Sequence, residues 1–247
     1  MVVDLNCDLG EGFGDDERLA ALVSSANIAC GFHAGGPATM RATVRLALRH
    51  GLAIGAHPSY PDRAGFGRRF LAASPEEVRD DVTYQLGALQ AFCSSEGARL
   101  VHVKAHGALY NAAAADPGLA RAIAEAVRAV DPGLVVVCLA GSAMVSVVEG
   151  LGLRCAEEAF ADRAYTAAGA LVPRGQPGAV IHDPAAVAER VVAMAREGRV
   201  AAIDGSTVKI RAGTICVHGD TAGAVEIAAA IRERLGREGI EVRGLAR

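Results

Sequence analysis

Ionisable side chains in this sequence collect along and just beyond short apolar runs. Asp4, Asn6 and Asp8 alternate with Val3, Leu5 and Cys7. His102, Lys104 and His106 alternate with Val101, Val103 and Ala105, and Cys216, His218 and Asp220 alternate with Ile215 and Val217. Side chains point to opposite faces of a strand in turn, so each polar set shares one face. The apolar face packs under helices, and the polar face must line a polar interior or mouth. His33 and His57 close two further runs, and Asp162 and Arg163 follow another.

These residue types suggest particular chemistry. Histidines move protons near neutral pH. A compact ammonium such as that of Lys104 stabilises negative charge developing on oxygen. Asp8 and Asp220 can orient a histidine, act as bases, or hold Mg²⁺ with nucleotide phosphates. Taken singly, a strand-end histidine is more simply a capped or solvated residue, Lys104 a salt-bridged one, and Asp220 a helix cap. Glu11 and Arg68 read as solvated loop charges and rank lower. Their coincidence at the carboxyl ends of separate runs is what points to catalysis. A rival reading takes Asp8, His33 and His57 as an oxygen-and-imidazole site for zinc or a related ion. No H-E-x-x-H motif supports it, and the expectation is that no tightly bound transition metal is needed.

Glycine supports a ligand-binding mouth. Gly10, Gly12 and Gly14 follow the first run, Gly31, Gly35 and Gly36 surround His33, and Gly65 and Gly67 follow His57. Such loops let backbone N–H groups approach a ligand, although each alone is also an ordinary tight turn. Neither G-x-x-x-x-G-K-[ST] nor a strand-linked G-x-G-x-x-G is present, so no standard phosphate-loop or dinucleotide fingerprint is available.

The elements that would position these groups repeat one grammar: apolar strand, polar turn, helix start, amphipathic helix. Strands are expected at Val2 to Asp8, Ala26 to Phe32, Leu52 to His57, Arg99 to Ala105, Leu134 to Ala140, Leu153 to Phe160 and Thr214 to His218. Ser74-Pro75-Glu76-Glu77 is a capping box, followed at helical spacing by Val78, Val82, Leu86, Leu89 and Cys93. Asp116-Pro117 and Asp183-Pro184 open two more helices. From Pro37 to His50, Met40, Val44 and Leu48 are expected to share a buried face. The Gly- and Pro-rich stretch from Ala161 to Ile181 reads as an elaborated loop. The fold class is therefore α/β, a single TIM-like parallel (β/α) barrel of seven βα units over residues 1–247, with a doubly wound open sheet as the alternative.

Composition narrows the function classes. An apolar fraction of 51% is enough for a sizeable core, and a formal charge of −3 gives no electrostatic reason to expect nucleic acid or an anionic membrane as partner. Lys104 and Lys209 are the only lysines. No signal-peptide pattern or spanning apolar stretch is seen, so a cytoplasmic location is the default. The six cysteines form no CxxC pair, which argues against a zinc knuckle or redox motif.

The segments DLNCDLGEGFG (Asp4 to Gly14), NIACGFHAG (Asn27 to Gly35), IGAHPSYPDRAGFGRR (Ile54 to Arg69), VKAHGALYN (Val103 to Asn111), FADRAY (Phe160 to Tyr165) and ICVHGD (Ile215 to Asp220) together resemble the LamB/YcsF family. The resemblance spans nearly the whole chain in the family's order. Two departures are visible, Gly36 in place of an Asp and Ala105 in place of a Pro. What the resemblance implies is a barrel related to sugar hydrolases and deacetylases. It further implies ATP-dependent opening of 5-oxoproline to glutamate, with two further subunits, ATP with Mg²⁺ as co-substrate and no tightly bound cofactor. The catalytic candidates are Asp8, His33, His57, Lys104, His106 and His218. The candidates for binding substrate or nucleotide are Asn6, Glu11, Arg68, Asn111, Glu158, Asp162, Arg163 and Asp220. Alternatives are a metal-dependent deacetylase- or amidohydrolase-like enzyme, or a non-catalytic scaffold that binds the lactam.

Overall fold

The computed structural model describes residues 1–246. Its elements run β1 (Val2–Leu9), α1 (Asp16–Ala20), β2 (Ser25–Ala29), α2 (Pro37–Arg49), β3 (Ala53–His57), α3 (Pro75–Ser95), β4 (Leu100–Val103), α4 (Gly107–Ala115) and α5 (Pro117–Val130). The chain continues with β5 (Val135–Leu139), α6 (Ala143–Gly150), β6 (Arg154–Phe160), α7 (Pro184–Glu197), β7 (Arg199–Ala201), β8 (Thr207–Lys209), β9 (Thr214–Val217), α8 (Ala224–Arg237) and β10 (Glu241–Val242). β1 to β6 pair in parallel in sequence order, β9 follows β6, and β9 returns to β1 through the pairs Asp4↔Thr214 to Cys7↔Val217. The ring is closed by these seven strands, as expected, and the open sheet is excluded. No helix among the described residues is long and apolar enough to cross a membrane.

Local chemistry explains where the helices start. Ser74 Oγ accepts from the Glu77 N–H while the Glu77 carboxylate accepts from the Ser74 N–H, completing the capping box. Asp116 and Asp183 cap α5 and α7 ahead of Pro117 and Pro184. Val78, Val82, Leu86, Leu89 and Cys93 are buried as expected. In α2 the expectation fails at Leu48, which is 43% exposed. Steps of four residues drift around a 3.6-residue helix, so Thr43 and Ala47 fill the face that Leu48 has left.

The alternation expected in β1 holds. Leu5, Cys7 and Leu9 pack outward against the helices, while Asp4, Asn6 and Asp8 are buried in hydrogen bonds with side chains of other strands. The antiparallel β7–β8 hairpin and β10 beside β1 have no counterpart among the expected strands. They have only two or three residues each, too few for alternation to register. The hairpin braces the 161–181 loop, because the Ile203 N–H donates to the Tyr165 carbonyl.

Gly55 shows how closely the interior is fitted. A Cβ there would lie 2.0 Å from Nε2 of the buried His102 ring, which passes over β3 and donates to Asn27 Oδ1 at 2.8 Å. Gly55→Ala is therefore expected to destabilise the fold by about 1–3 kcal/mol or more. Gly87→Ala, in open space on α3, should stabilise it by about 0.5–1 kcal/mol. Urea unfolding of the two variants checks the contrast.

Candidate active site

The carboxyl ends of the barrel strands open into a cavity of about 840 Å³. Asp8, His57, Lys104, His106 and His218 line its inner part, and Arg68, Arg163, Arg174 and Lys209 contribute positive charge to its walls. This is the barrel face on which active sites are built.

Beneath the cavity the interior is polar and extensively hydrogen-bonded, with Nδ1 of the buried His102 left without a partner. At the bottom, Asp4 accepts from Ser24, Ser25 and Thr214 at 2.7, 2.6 and 2.5 Å, and burial raises its carboxyl above the ordinary range. One layer higher, the Asn6 amide donates to Glu158 and Thr214, and the Asn27 amide donates to Asn6 and Asp8. Tyr110 donates to the other Glu158 oxygen at 2.6 Å.

Lys104 stands just past β4 at the centre. Its Nζ lies 2.9 Å from Glu158 Oε1, and 3.2 Å from both Asp8 Oδ1 and Asn6 Oδ1. Burial works against the ammonium, but Asp8, Cys216 and Glu158 outweigh it and hold Lys104 well above its ordinary value. Burial likewise opposes ionisation of Asp8, yet His57 and Lys104 hold that carboxyl well below the usual range.

At the mouth, His33, His57 and His106 pack ring to ring around Glu11. His33 Nε2 lies 2.8 Å from Glu11 Oε1, His106 Nδ1 lies 3.5 Å from the same oxygen, and His57 Nε2 lies 3.0 Å from His106 Nδ1. Burial, then the neighbouring His57, lowers His33 to about 3. Burial also drives His106 down, so both rings are neutral at ordinary pH. Glu11 is not the solvated loop charge that its position suggests. Its side chain is 4% exposed, and burial reinforced by Asp8 and Asp220 pushes its carboxyl well above the usual value.

A second arrangement sits across the cavity. Buried Asp162 accepts from His218 Nδ1 at 2.7 Å and from Thr221 Oγ1 at 2.6 Å. Burial opposes its ionisation, but His218 and Thr221 hold the carboxyl below its ordinary value. The pairing fixes His218 with Nδ1 protonated, leaving Nε2 as the remaining nitrogen of a ring that lines the cavity.

The remaining candidates fall on the rim. Asp220 does not cap a helix, since the cap of α8 is Gly223; it pairs with Arg68 at 2.5 Å and lies 3.6 Å from Arg174. Asn111 sits on the exposed side of α4 at the cavity edge. Arg163 donates to the carbonyls of Val172 and Ala179, so it pins the 161–181 loop as well as lining the cavity. Sequence reasoning misses Asn27, Tyr110 and Arg174. Strand alternation flags Asn27 once Ala26 and Ile28 are set outward, and Tyr110 lies within VKAHGALYN. Arg174 lies in an irregular loop and carries no signal.

A lysine placed on a strand face for function alone would tolerate replacement by Met with the fold intact, and the geometry reverses this for Lys104. Removing the cation strands two buried carboxylates, which costs about 3–5 kcal/mol. Adding Glu158→Gln removes one of those charges, so the double variant should be more stable than the sum of the single effects by about 1 kcal/mol. Chemical denaturation of the three variants measures this.

Comparison with known proteins finds relatives along the whole chain. The chain is 54% identical over 247 residues to a Thermococcus onnurineus protein named as the A subunit of 5-oxoprolinase, covering 98% of this chain and 97% of that one. It is 52% identical over 247 residues to a protein of the same name from Syntrophobacter fumaroxidans, covering 98% of each. The crystal structure of the lactam utilization protein from Thermus thermophilus superposes with a TM-score of 0.93 at 51% identity, covering 99% of this chain and 100% of that one. The LamB/YcsF family model matches residues 3–247, and the chain belongs to the LamB/YcsF family.

Proposed function

We propose that this chain is the A component of a cytoplasmic, ATP-dependent 5-oxoprolinase, acting with two partner subunits to open 5-oxoproline to glutamate. The observation that carries this reading is a single cavity in which His218, oriented by Asp162, faces a cationic wall. Names of relatives over 50% identical along the whole chain support the substrate.

The chemistry suits these groups. The substrate carries one carboxylate, and Arg68 and Arg174 share the single carboxylate of Asp220, which leaves positive charge for an anion. At about 840 Å³ the cavity is drug-sized and larger than one small lactam needs, so a phosphoryl donor has room.

An unactivated amide resists water. Transfer of the γ-phosphoryl group of Mg²⁺-bound ATP to the lactam oxygen releases ADP and leaves an imidoyl phosphate. Water then adds at that carbon and gives its proton to His218 Nε2. The resulting imidazolium returns the proton to the ring nitrogen as the C–N bond breaks. The acyl phosphate so formed is hydrolysed to glutamate and phosphate. Asp162 keeps the imidazole in one tautomer throughout. Lys104, held by Asp8 and Glu158, fixes the floor against which the substrate rests.

Glutamate and ADP are measured with this chain alone, with its partner subunits alone and with all together. Turnover is expected only from the full set, and His218→Asn, whose amide can still donate to Asp162, should lower kcat by about 10²-fold or more. A full set that leaves 5-oxoproline intact overturns the reading. ATP-dependent turnover by the isolated chain overturns the partner requirement.

A further inference from the structure

The mouth cluster of Glu11, His33, His57 and His106 has an unusual hydrogen inventory. His57 Nδ1 lies 2.7 Å from the carbonyl oxygen of Lys104, and His106 Nε2 lies 2.9 Å from that of Phe66. A carbonyl only accepts, so both of these nitrogens carry the ring proton. His33 Nδ1 lies 3.1 Å from Ser59 Oγ, whose one hydrogen is donated to the Tyr60 carbonyl at 2.9 Å. His33 Nδ1 is therefore a donor as well. When each ring carries only that one proton, as ligation of a cation requires, the free lone pairs are those of His33 Nε2, His57 Nε2 and His106 Nδ1.

One ligand atom from each of Glu11, His33, His57 and His106 lies within 4.8 Å of all the others. In that state His57 Nε2 and His106 Nδ1 face each other at 3.0 Å with no hydrogen between them, and His33 Nε2 faces Glu11 Oε1 at 2.8 Å. Lone pairs held this close repel unless something positive lies among them. The separations of 3.0, 3.5 and 3.9 Å within Glu11, His57 and His106 bracket the edge of about 3.4 Å expected for a tetrahedron with ligand bonds of about 2.1 Å. Each imidazole is also fixed through its other nitrogen by a carbonyl or hydroxyl, the usual support of a metal-bound histidine.

The surrounding backbone is shaped for this arrangement. Phe66, which supplies the carbonyl that fixes His106, is the one non-glycine residue with positive φ among those described, at 54°. A Cβ on the adjacent Gly67 would meet His106 and His33 at 2.9 Å. Positive φ at a bulky residue costs energy and persists where the surroundings demand it.

We propose that Glu11, His33, His57 and His106 form a binding site for one first-row divalent cation of the zinc type. Three imidazoles and one carboxylate suit zinc, cobalt or iron better than Mg²⁺, which prefers oxygen ligands and water. The expectation that no transition metal is held tightly rests on the scatter of these histidines along the sequence. Barrel closure removes that premise by bringing strand ends together. His33 stacks on His106 at 3.8 Å between ring centroids, so binding tilts one ring toward the ion.

The test uses the full chain without partners or substrate, which separates it from the lactam reading. Chelator-stripped protein is titrated with Zn²⁺ by calorimetry, and Co²⁺ is followed by its visible spectrum. One ion per chain is expected, with the intense visible bands of low-coordinate cobalt. Glu11→Gln and His106→Gln should abolish or greatly weaken binding, and Ser59→Ala should weaken it about 10-fold through the outer contact. Circular dichroism checks that each variant is folded. A folded wild-type chain that binds neither ion stoichiometrically overturns the proposal, as does binding unchanged in both ligand variants. Proton sharing between His57 and His106 would then account for their approach.

Discussion

One ammonium, Lys104 Nζ, lies inside a closed ring of strands, 2.9 Å from Glu158 and 3.2 Å from Asp8. Taking an ion out of water costs several kcal/mol, and the cost is offset only when partners and remaining hydrogen bonds are all in place. That constraint reaches through the barrel. Glu158 commits its oxygens to Lys104, Asn6 and Tyr110, while Asp8 is held by Lys104 and Asn27. His102 completes Asn27, and Gly55 makes room for His102. A barrel interior is ordinarily filled by branched apolar side chains; here the same volume is filled by a hydrogen-bonded column whose members depend on one another.

The column also sets the mouth. The residue whose side chain neutralises the interior acids is the residue whose carbonyl accepts from His57 Nδ1. Thus Lys104 fixes both the charge below the cavity and the tautomer of the histidine above it. His57 in turn meets His106 and lies 3.4 Å from Asp8 Oδ2, returning the chain of contacts to the ammonium. The His218–Asp162 pair stands apart from this circuit, just past β6 and β9, with Thr221 completing its carboxylate. Two arrangements able to handle protons therefore face one cavity from separate supports.

Much of this is legible in the sequence because strand alternation is a local property. The inward set of Asp4, Asn6 and Asp8, the His102-Lys104-His106 face and the capped starts of α3, α5 and α7 need only spacing and helix-start chemistry. Alternation gives the face of a side chain but not its distance across a barrel. Glu11 consequently looks like a solvated loop charge, and the depth at which Lys104 is paired leaves no local trace. Leu48 is misplaced because an apolar residue four positions on is not always on the same helical face. The β7–β8 hairpin and β10 lack the length to show a pattern, and their positions are fixed by tertiary contacts.

The polar column joins parts of the chain that are remote in sequence. Asn6 donates to Glu158 across 152 residues and to Thr214 across 208, and Thr214 reaches Asp4 across 210. None of these bonds to Thr214 can form until β9 has come back to β1. Loop-closure entropy must be overcome before such distant contacts contribute. A chain emerging from the ribosome therefore holds Asp4 and Asn6 without Thr214, and one edge of β1 without β9, until nearly the whole sequence is available. Stopping short of β9 would leave that part of the interior incomplete and a sheet edge open together. Closure of the ring and completion of the polar interior thus wait on the same late strand, so the cavity has its full wall only once β9 is in place.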